Sequence, residues 1–561
     1  METELIALII AIGAFIAFFF VKGIIDEKRK EKDYILKLKF NFGKYPEREY
    51  TNEQFSGISG YDRKNKTDNH IDNITWDDLD MDSVFMSMNN THSSAGEEYL
   101  YYRLRNPKLT DETTRRDEEL IEYFYNNKDD SINLQKAFHK MGKTGKYSLY
   151  DYLNYLDNVE NTGNIKHIIC NLLYLISAAL VFFNPFAGIV CIISVMCYNM
   201  IAYSKAKSEI EPYFISIKYV MRLLDGINKV ADTNVPVIKD NIDIMKEKRK
   251  VFHGLKKKAL FLSMDASDFN LLSMIYIYIK MLFHVDLIIF NYILKNIKKH
   301  TAEINDIVTE LGYIESSIAV ASYRKYVNDF CVPEYTDTLY MKAEEMYHPL
   351  ISNPVKNSFE TNNGVLVTGS NASGKSTFLK TIAINAILAQ TINTCLADKF
   401  ITNHYRIYSS MALRDNLGIG ESYYIVEIKS LKRILDRVNP EVPILCFVDE
   451  ILRGTNTLER IAASSEILVS LARKNVLCFA ATHDIELTHI LEDDYSNYHF
   501  QEQIVDNNIL FDYKLYEGRA VSKNAIKLLS IMGYSNEIIE RATDAANHFQ
   551  VTGKWKNIVR K

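Results

Sequence analysis

Eight consecutive residues, Gly369-Ser370-Asn371-Ala372-Ser373-Gly374-Lys375-Ser376, follow the pattern G-x-x-x-x-G-K-[ST]. This loop can wrap a phosphate chain, because glycine lets backbone N–H groups curl around anionic oxygens without a Cβ clash. Lys375 supplies a point charge for the outer phosphates, and the Ser376 hydroxyl is a magnesium ligand. Thr377 opens a helix-forming stretch whose N-terminal partial charge adds to the same site. A second run, Val442 to Val448, ends in Asp449-Glu450. There Asp449 is placed to hold magnesium through water, and Glu450 to polarise an attacking water. A third run, Val476 to Thr482, ends in His483-Asp484. Taken without its neighbours, an Asp-Glu pair after a strand is an ordinary solvated turn, and a strand-end histidine is structural. Downstream of a phosphate loop, the two strand ends read instead as the carboxylates and the γ-phosphate sensor of an ATP-hydrolysing site.

Those groups need a scaffold. Val365 to Thr368 is a short β-rich run, the loop follows, and Thr377 to Gln390 is helical in pattern. From Gly364 onward short apolar strands alternate with helices, the signature of an α/β domain. Upstream, residues 75–165 and 204–330 show apolar positions at spacings of three and four, which predicts helices.

The formal net charge of −5 gives no overall basic footprint, so a nucleic-acid contact would need a local patch. One candidate is the run Lys246, Lys248, Arg249, Lys250, Lys256, Lys257 and Lys258. It reads as a solvated face, a lipid-headgroup contact or a nucleic-acid contact, and no aromatic residues are interleaved to favour single strands. The seven cysteines form no CxxC pair and have no histidine at zinc spacing, so they read as reduced, small apolar residues.

Leu5 to Val21 is uncharged, and Lys22 can snorkel to extend the run to Ile25, enough to cross a bilayer. Lys22, Lys28, Arg29, Lys30 and Lys32 follow, which places the downstream chain in the cytoplasm. Ile168 to Tyr203, broken at Asn184-Pro185, reads as a helical membrane hairpin, or else as two buried helices. Leu271 to Leu294 carries Lys280, His284 and Asp286, and predicts a soluble amphipathic helix.

At this point the residues resemble the MutS family of mismatch-repair ATPases. Gly369 to Lys380 is similar to that family's phosphate loop, including Asn371. Asp449-Glu-Ile-Leu-Arg-Gly-Thr-Asn-Thr457 resembles D-E-x-G-R-G-T-[ST]-T, with Leu452 where the family has glycine. Thr482-His-Asp-Ile-Glu-Leu-Thr488 matches T-H-x-x-E-L-T, and Asp415 to Glu427 is similar to the segment that crosses a dimer. Leu311 to Ala321 and Thr75 to Pro107 resemble the helical core, while Gly518 to Ser522 and Ile538 to Ala546 resemble the dimerisation tail. The resemblance implies ATP and Mg2+ as ligands and a homodimer through the ATPase domain. Within it, Ser422 meets the partner's γ-phosphate, His348 lies near the adenine, and Asn371 joins Lys375, Glu450 and His483 in the catalytic set. Residues Gly369 to Thr377 form the nucleotide loop, and Ser376 and Asp449 hold the metal.

The expected architecture is an α/β P-loop ATPase domain plus an all-α core and lever, with an N-terminal transmembrane helix and a membrane hairpin. Its expected parts are an anchor (1–25), a cytoplasmic segment with the first part of the core (26–165), a hairpin (166–204), a helical core and lever (205–335), an ATPase domain (336–520) and a tail (521–561). Only about 50 residues separate the anchor from the core, too few for the family's mismatch-reading domain of about 100 residues. The F-x-E of that domain occurs as Phe500-Gln-Glu502, inside the ATPase, and reads as coincidence. What the motor acts on stays open among DNA, a membrane and a recruited protein.

Overall fold

The structure is a computed structural model describing residues 2–48, 50–145, 147–158, 163–255, 258, 271–370, 373–411, 423–505, 508–520, 526, 529–530 and 532–555. Two compact units emerge. Residues 1–68, 85–105 and 115–328 form the first, and residues 69–84, 106–114 and 329–561 the second.

The first unit is helical. Helix α1 (Glu2–Asn41) continues well past the expected anchor boundary at residue 25. Its charged second half is rich in Lys, a good helix former, and holds no proline, so nothing stops it before Asn41. Tyr34 stacks on His139 with ring centroids 3.9 Å apart, docking α1 on the unit. Two short helices follow, Asn52–Ile58 and Gly60–Asn65. Helix α2 (Ser94–Arg105) lies against the later helix Thr301–Val327. The approach is close: a Cβ on Gly312 would fall 2.7 Å from the carbonyl oxygen of Ala95. Arg103 of α2 pairs with Asp117 at 2.8 Å, both almost fully buried.

The hairpin arms are α3 (Ile165–Phe183) and α4 (Pro185–Ala231). Asn184 forms the corner by accepting a hydrogen bond from the amide of Ala187 (3.2 Å), and Pro185 opens the second arm where its missing N–H costs nothing. The second arm does not stop near residue 204 but runs on as helix to Ala231. The stretch 271–294, expected as one helix, is two: α5 (Leu271–Phe283) and α6 (Val285–Lys299). They bend by 72° at His284, which is left-handed at φ 53°. Helix α7 (Thr301–Val327) closes the unit. The basic run is not one helical face either. Its helix ends at Arg249, Lys248 pairs with Asp306 at 2.6 Å, and Lys256 and Lys257 lie outside the described residues.

The second unit is α/β. A four-stranded sheet has the order β1 (Glu334–Tyr335), β5 (Lys399–Thr402), β2 (Met341–Met346), β3 (Asn357–Thr361). A six-stranded sheet has the order β10 (Asn508–Glu517), β9 (Tyr495–Val505), β4 (Gly364–Thr368), β8 (Val476–Thr482), β7 (Ile444–Asp449), β6 (Arg406–Ser410). Its strands are parallel except for the β9–β10 hairpin. Strands β4 and β8 are buried at every position, as expected of a sheet covered on both faces. Cys446 and Cys478 face each other across β7 and β8, both fully buried thiols. Helices α8 (Lys375–Ile392), α9 (Tyr423–Asp436), α10 (Thr457–Ala472) and α11 (Asn536–Thr552) belong to the same unit.

One assignment changes. Thr75 to Pro107 resembled the start of the helical core, but residues 69–84 and 106–114 belong to the α/β unit. Asp78 accepts from the Ser409 hydroxyl (2.6 Å) and the Met411 amide (2.9 Å), Asp72 pairs with Arg433 at 2.8 Å, and the Lys108 amide donates to the carbonyl of Gln390 at 3.0 Å. Those polar ties fasten the segment beside β6 and α8.

Candidate active site

The parallel register decides where the chemistry sits. Thr368 of β4 stands opposite Thr482 of β8, and Ala481 stands opposite Asp449 of β7. Three adjacent strands therefore end at one edge, the carboxyl edge where open parallel sheets bind ligands. The loop from Gly369, the pair Asp449-Glu450 and His483 all leave from it.

Gly369 has φ 147°, and a Cβ there would come 2.8 Å from the carbonyl oxygen of Phe500, so only glycine fits. The Lys375 ammonium folds back onto its own loop, donating to the carbonyls of Gly369 and Ser370 at 2.9 Å each and lying 3.4 Å from His483 Nε2. Burial lowers its pKa, with the carboxylates of Asp449 and Glu450 pulling the other way. The Ser376 hydroxyl donates to Asp449 Oδ2 at 2.5 Å, while Asp449 Oδ1 is buried with no hydrogen-bond partner among the described residues. Burial pushes the Asp449 carboxyl above its ordinary range, against the pull of that hydroxyl. A hydroxyl beside a carboxylate with a spare oxygen is a hard-oxygen donor set. It suits magnesium, which takes one or two protein oxygens and completes its shell with phosphate and water.

Glu450 is gripped from two sides, by His483 Nε2 at 2.8 Å from Oε1 and by the Arg453 guanidinium. Its backbone is left-handed (φ 55°), and so is that of Leu452 (φ 56°). The second value accounts for the family's glycine at that position. Here a leucine takes the strained conformation, and its side chain is buried in the apolar cluster with Leu431, Ile434 and Leu468. Its amide donates to the Glu427 carboxylate of α9. Beyond β8, Arg460 holds Asp484 through two bonds, at 2.9 and 2.6 Å, fixing the turn that carries His483.

Beside the loop opens a cavity of about 450 Å³, lined by His348, Ile351, Pro354, Phe378, Phe500 and Tyr513 among others. His348 is held down at about 4, chiefly by burial, so the ring is neutral near pH 7. Its Nδ1 accepts from the Leu350 amide at 3.2 Å, leaving the proton on Nε2. Tyr513 reaches the cavity from a bulge in β10, whose freed backbone is satisfied by Asn357. That side chain donates to the Tyr513 carbonyl at 3.0 Å and accepts from the Leu515 amide at 2.8 Å.

Gly369, Ser370, Ser373, Gly374, Lys375, Ser376, Thr377, Asp449, Glu450 and His483 come together at this edge, with His348 at the adjoining cavity. Asn371, Ala372 and Ser422 lie outside the described residues. Sequence reasoning missed Phe500, Glu502 and Tyr513. Glu502 accepts from the Ser370 hydroxyl at 2.7 Å. The available signal was the period-2 alternation of β9, which puts Phe500 and Glu502 on one face. The F-x-E in this chain is thus part of the loop's surroundings.

Comparison with known proteins agrees with this geometry. The family profile of MutS domain V matches residues 365–550. "MutS protein homolog 4" of Homo sapiens is 31% identical over 264 residues, covering 43% of this chain and 27% of that protein. "DNA mismatch repair protein MutS" of Thermotoga maritima is 26% identical over 335 residues, 58% of this chain and 41% of the relative. The same-named protein of Clostridium perfringens is 28% identical over 268 residues, 45% and 29% of the respective chains. The chain therefore spans well under half the length of these relatives. What it shares with them is centred on the domain that carries the loop and the two strand ends, where residues 365–550 are similar to MutS domain V.

Proposed function

We propose that this chain binds ATP with magnesium at the carboxyl edge of the six-stranded sheet and hydrolyses it, as a membrane-anchored MutS-like ATPase. The observation that carries the reading is the convergence at one sheet edge of two polar clusters, Lys375 with His483 and Glu450, and Ser376 with Asp449. Lys375 exchanges its two loop carbonyls for the outer phosphates. Ser376 and Asp449 hold the metal, which when bound offsets charge on the phosphate oxygens. Glu450 orients and deprotonates the attacking water, with His483 fixing its carboxylate. The base enters the cavity beside neutral His348, between Phe500 and Tyr513.

Glu502 works against this. Its carboxylate sits on Ser370, where a polyanion would lie. Glu502→Gln keeps the hydrogen bond and removes the charge, and should tighten ATP binding roughly three- to tenfold, the order of one like-charge contact near a solvated surface. Titration of a fluorescent ATP analogue reads this, and unchanged affinity would remove Glu502 from the phosphate site.

In the same proposal two chains pair, each capping the other's ATP with Ser422, and binding and hydrolysis move the helical levers. A protein that stays monomeric at saturating ATP, with turnover unchanged on dilution, would defeat the pairing. The family's named relatives make DNA, and mismatch repair, the first candidate for what the motor serves. The alternative is a membrane-linked ATPase or nucleotide-switched scaffold that does not bind DNA. The arms Ile165–Phe183 and Pro185–Glu211 favour it: only 11% and 22% of their apolar windows are buried, as suits helices that face lipid. Turnover of the detergent-purified chain, measured with duplex DNA, mismatched duplex and anionic lipid, separates the two. A rate that responds to DNA supports the repair reading, and one that responds only to lipid replaces it.

A further inference from the structure

Helix α5 contradicts its sequence expectation in orientation as well as in length. A soluble surface helix turns its charges out and its apolar side chains in. Here Lys280 is buried, at 8% exposure, while Ile277, Tyr278, Ile279 and Phe283 are exposed, Tyr278 to 58%. Charges face inward when the surroundings of a helix are lipid rather than water.

The bend at His284 is equally well supported from inside. A helix break frees carbonyl groups, and those are tolerated beside lipid only where protein satisfies them. The Asn199 side chain donates to the carbonyl of Leu282 (3.2 Å), and that of Asn171 to the carbonyl of Phe283 (2.9 Å). His284 Nε2 lies 3.0 Å from the carbonyl oxygen of Asn199. Both asparagines belong to the hairpin arms, so the hairpin base is built to hold the break.

The angle then fixes how α5 lies. Helix α6 runs alongside α4, with the Tyr203 hydroxyl 2.7 Å from Asp286 and the Phe214 and Phe290 rings 5.1 Å apart. If the hairpin crosses a bilayer, α6 leaves it along the same direction. A helix at 72° to α6 is then nearly parallel to the membrane surface. Lys166 and Lys205 flank the hairpin base, where acidic headgroups would meet them, while Lys207 pairs with Asp286 at 3.9 Å.

We infer that α5 is an interfacial helix, lying in the surface of an anionic bilayer at the foot of the hairpin, with Ile277, Tyr278, Ile279 and Phe283 in the headgroup–acyl boundary. This rests on the proposed insertion of the hairpin, and the test separates the two. The full chain is reconstituted in phosphatidylcholine–phosphatidylglycerol vesicles as Tyr278→Trp and, separately, as Ile176→Trp. Lipids brominated high or deep in the acyl chain quench the new tryptophan, after subtraction of the signal from Trp76 and Trp555 in the unsubstituted chain. Tyr278 and Ile176 are both exposed, so neither change disturbs the core.

For Tyr278→Trp, shallow bromine should quench at least about twofold more than deep bromine, as expected of a helix buried only into the headgroup boundary. Ile176→Trp should show the reverse order. Removing phosphatidylglycerol should weaken the Tyr278→Trp signal and leave that of Ile176→Trp in place. If Ile176→Trp is quenched and Tyr278→Trp is not, the inference falls and the hairpin stands. If deep bromine quenches both alike, α5 is inserted rather than interfacial, and the inference again falls. A Tyr278→Trp signal indifferent to phosphatidylglycerol overturns the anionic requirement. If neither is quenched, the hairpin reading fails first.

Discussion

Glu450→Gln should abolish most ATP turnover, by about 10²- to 10⁴-fold, while leaving nucleotide binding within a factor of a few. Glutamine keeps the size of the side chain and can still meet Arg453 and His483, so the edge of the sheet keeps its shape. It cannot take a proton from water. The groups assigned to hold the nucleotide are untouched: Lys375 keeps its two loop carbonyls and Ser376 its bond to Asp449. Single-turnover hydrolysis alongside a binding titration reads the two quantities separately. Turnover at the parent rate would sink the assignment. Loss of binding along with turnover would instead make Glu450 part of the ligand's seat.

The second large effect is expected in the helical unit. Arg103→Met leaves Asp117 in a site where both side chains are only 4% exposed. Asp117 keeps the hydroxyl of Tyr313, at 3.0 Å, but loses the guanidinium at 2.8 Å. Ser317, now 3.1 Å from an Arg103 nitrogen, loses a donor as well. Removing one partner of a buried pair costs about 3–5 kcal/mol, because the remaining charge keeps its desolvation penalty. The denaturant midpoint of this unit should fall accordingly. Arg103→Met with Asp117→Leu should recover much of the loss, since two apolar groups of similar volume carry no such penalty. A single variant as stable as the parent, or a double variant no better than the single, would show that the pair is not what holds α2 in place.

How much of this was legible in the sequence depends on how local the cause is. The phosphate loop, Asp449-Glu450 and His483 could be read because each is a short run whose chemistry depends on its neighbours in the chain. The parallel sheet then delivered them to one edge, as the alternation of strands and helices implied. Phe500, Glu502 and Tyr513 reach the loop from strands whose register no motif encodes. The break at His284 has no glycine or proline to announce it. It depends on Asn171 and Asn199, at least 85 residues away in sequence, for its hydrogen bonds. Residues 69–84 carry a helical pattern that says nothing of the β6 edge they join through Asp78. Leu452 was visible as a departure from the family, and only its left-handed backbone shows what the departure involves.

That leucine has a mechanical consequence. Ile451 and Leu452 are planted in the same apolar cluster as Leu431 and Ile434 of α9, and the Glu427 carboxylate of α9 holds the Leu452 amide. Close-packed interiors shift as blocks rather than deforming smoothly. A displacement of the start of α9 would therefore be passed to the turn that carries Glu450. Helix α9 and the Glu450 turn are geared together through Leu452.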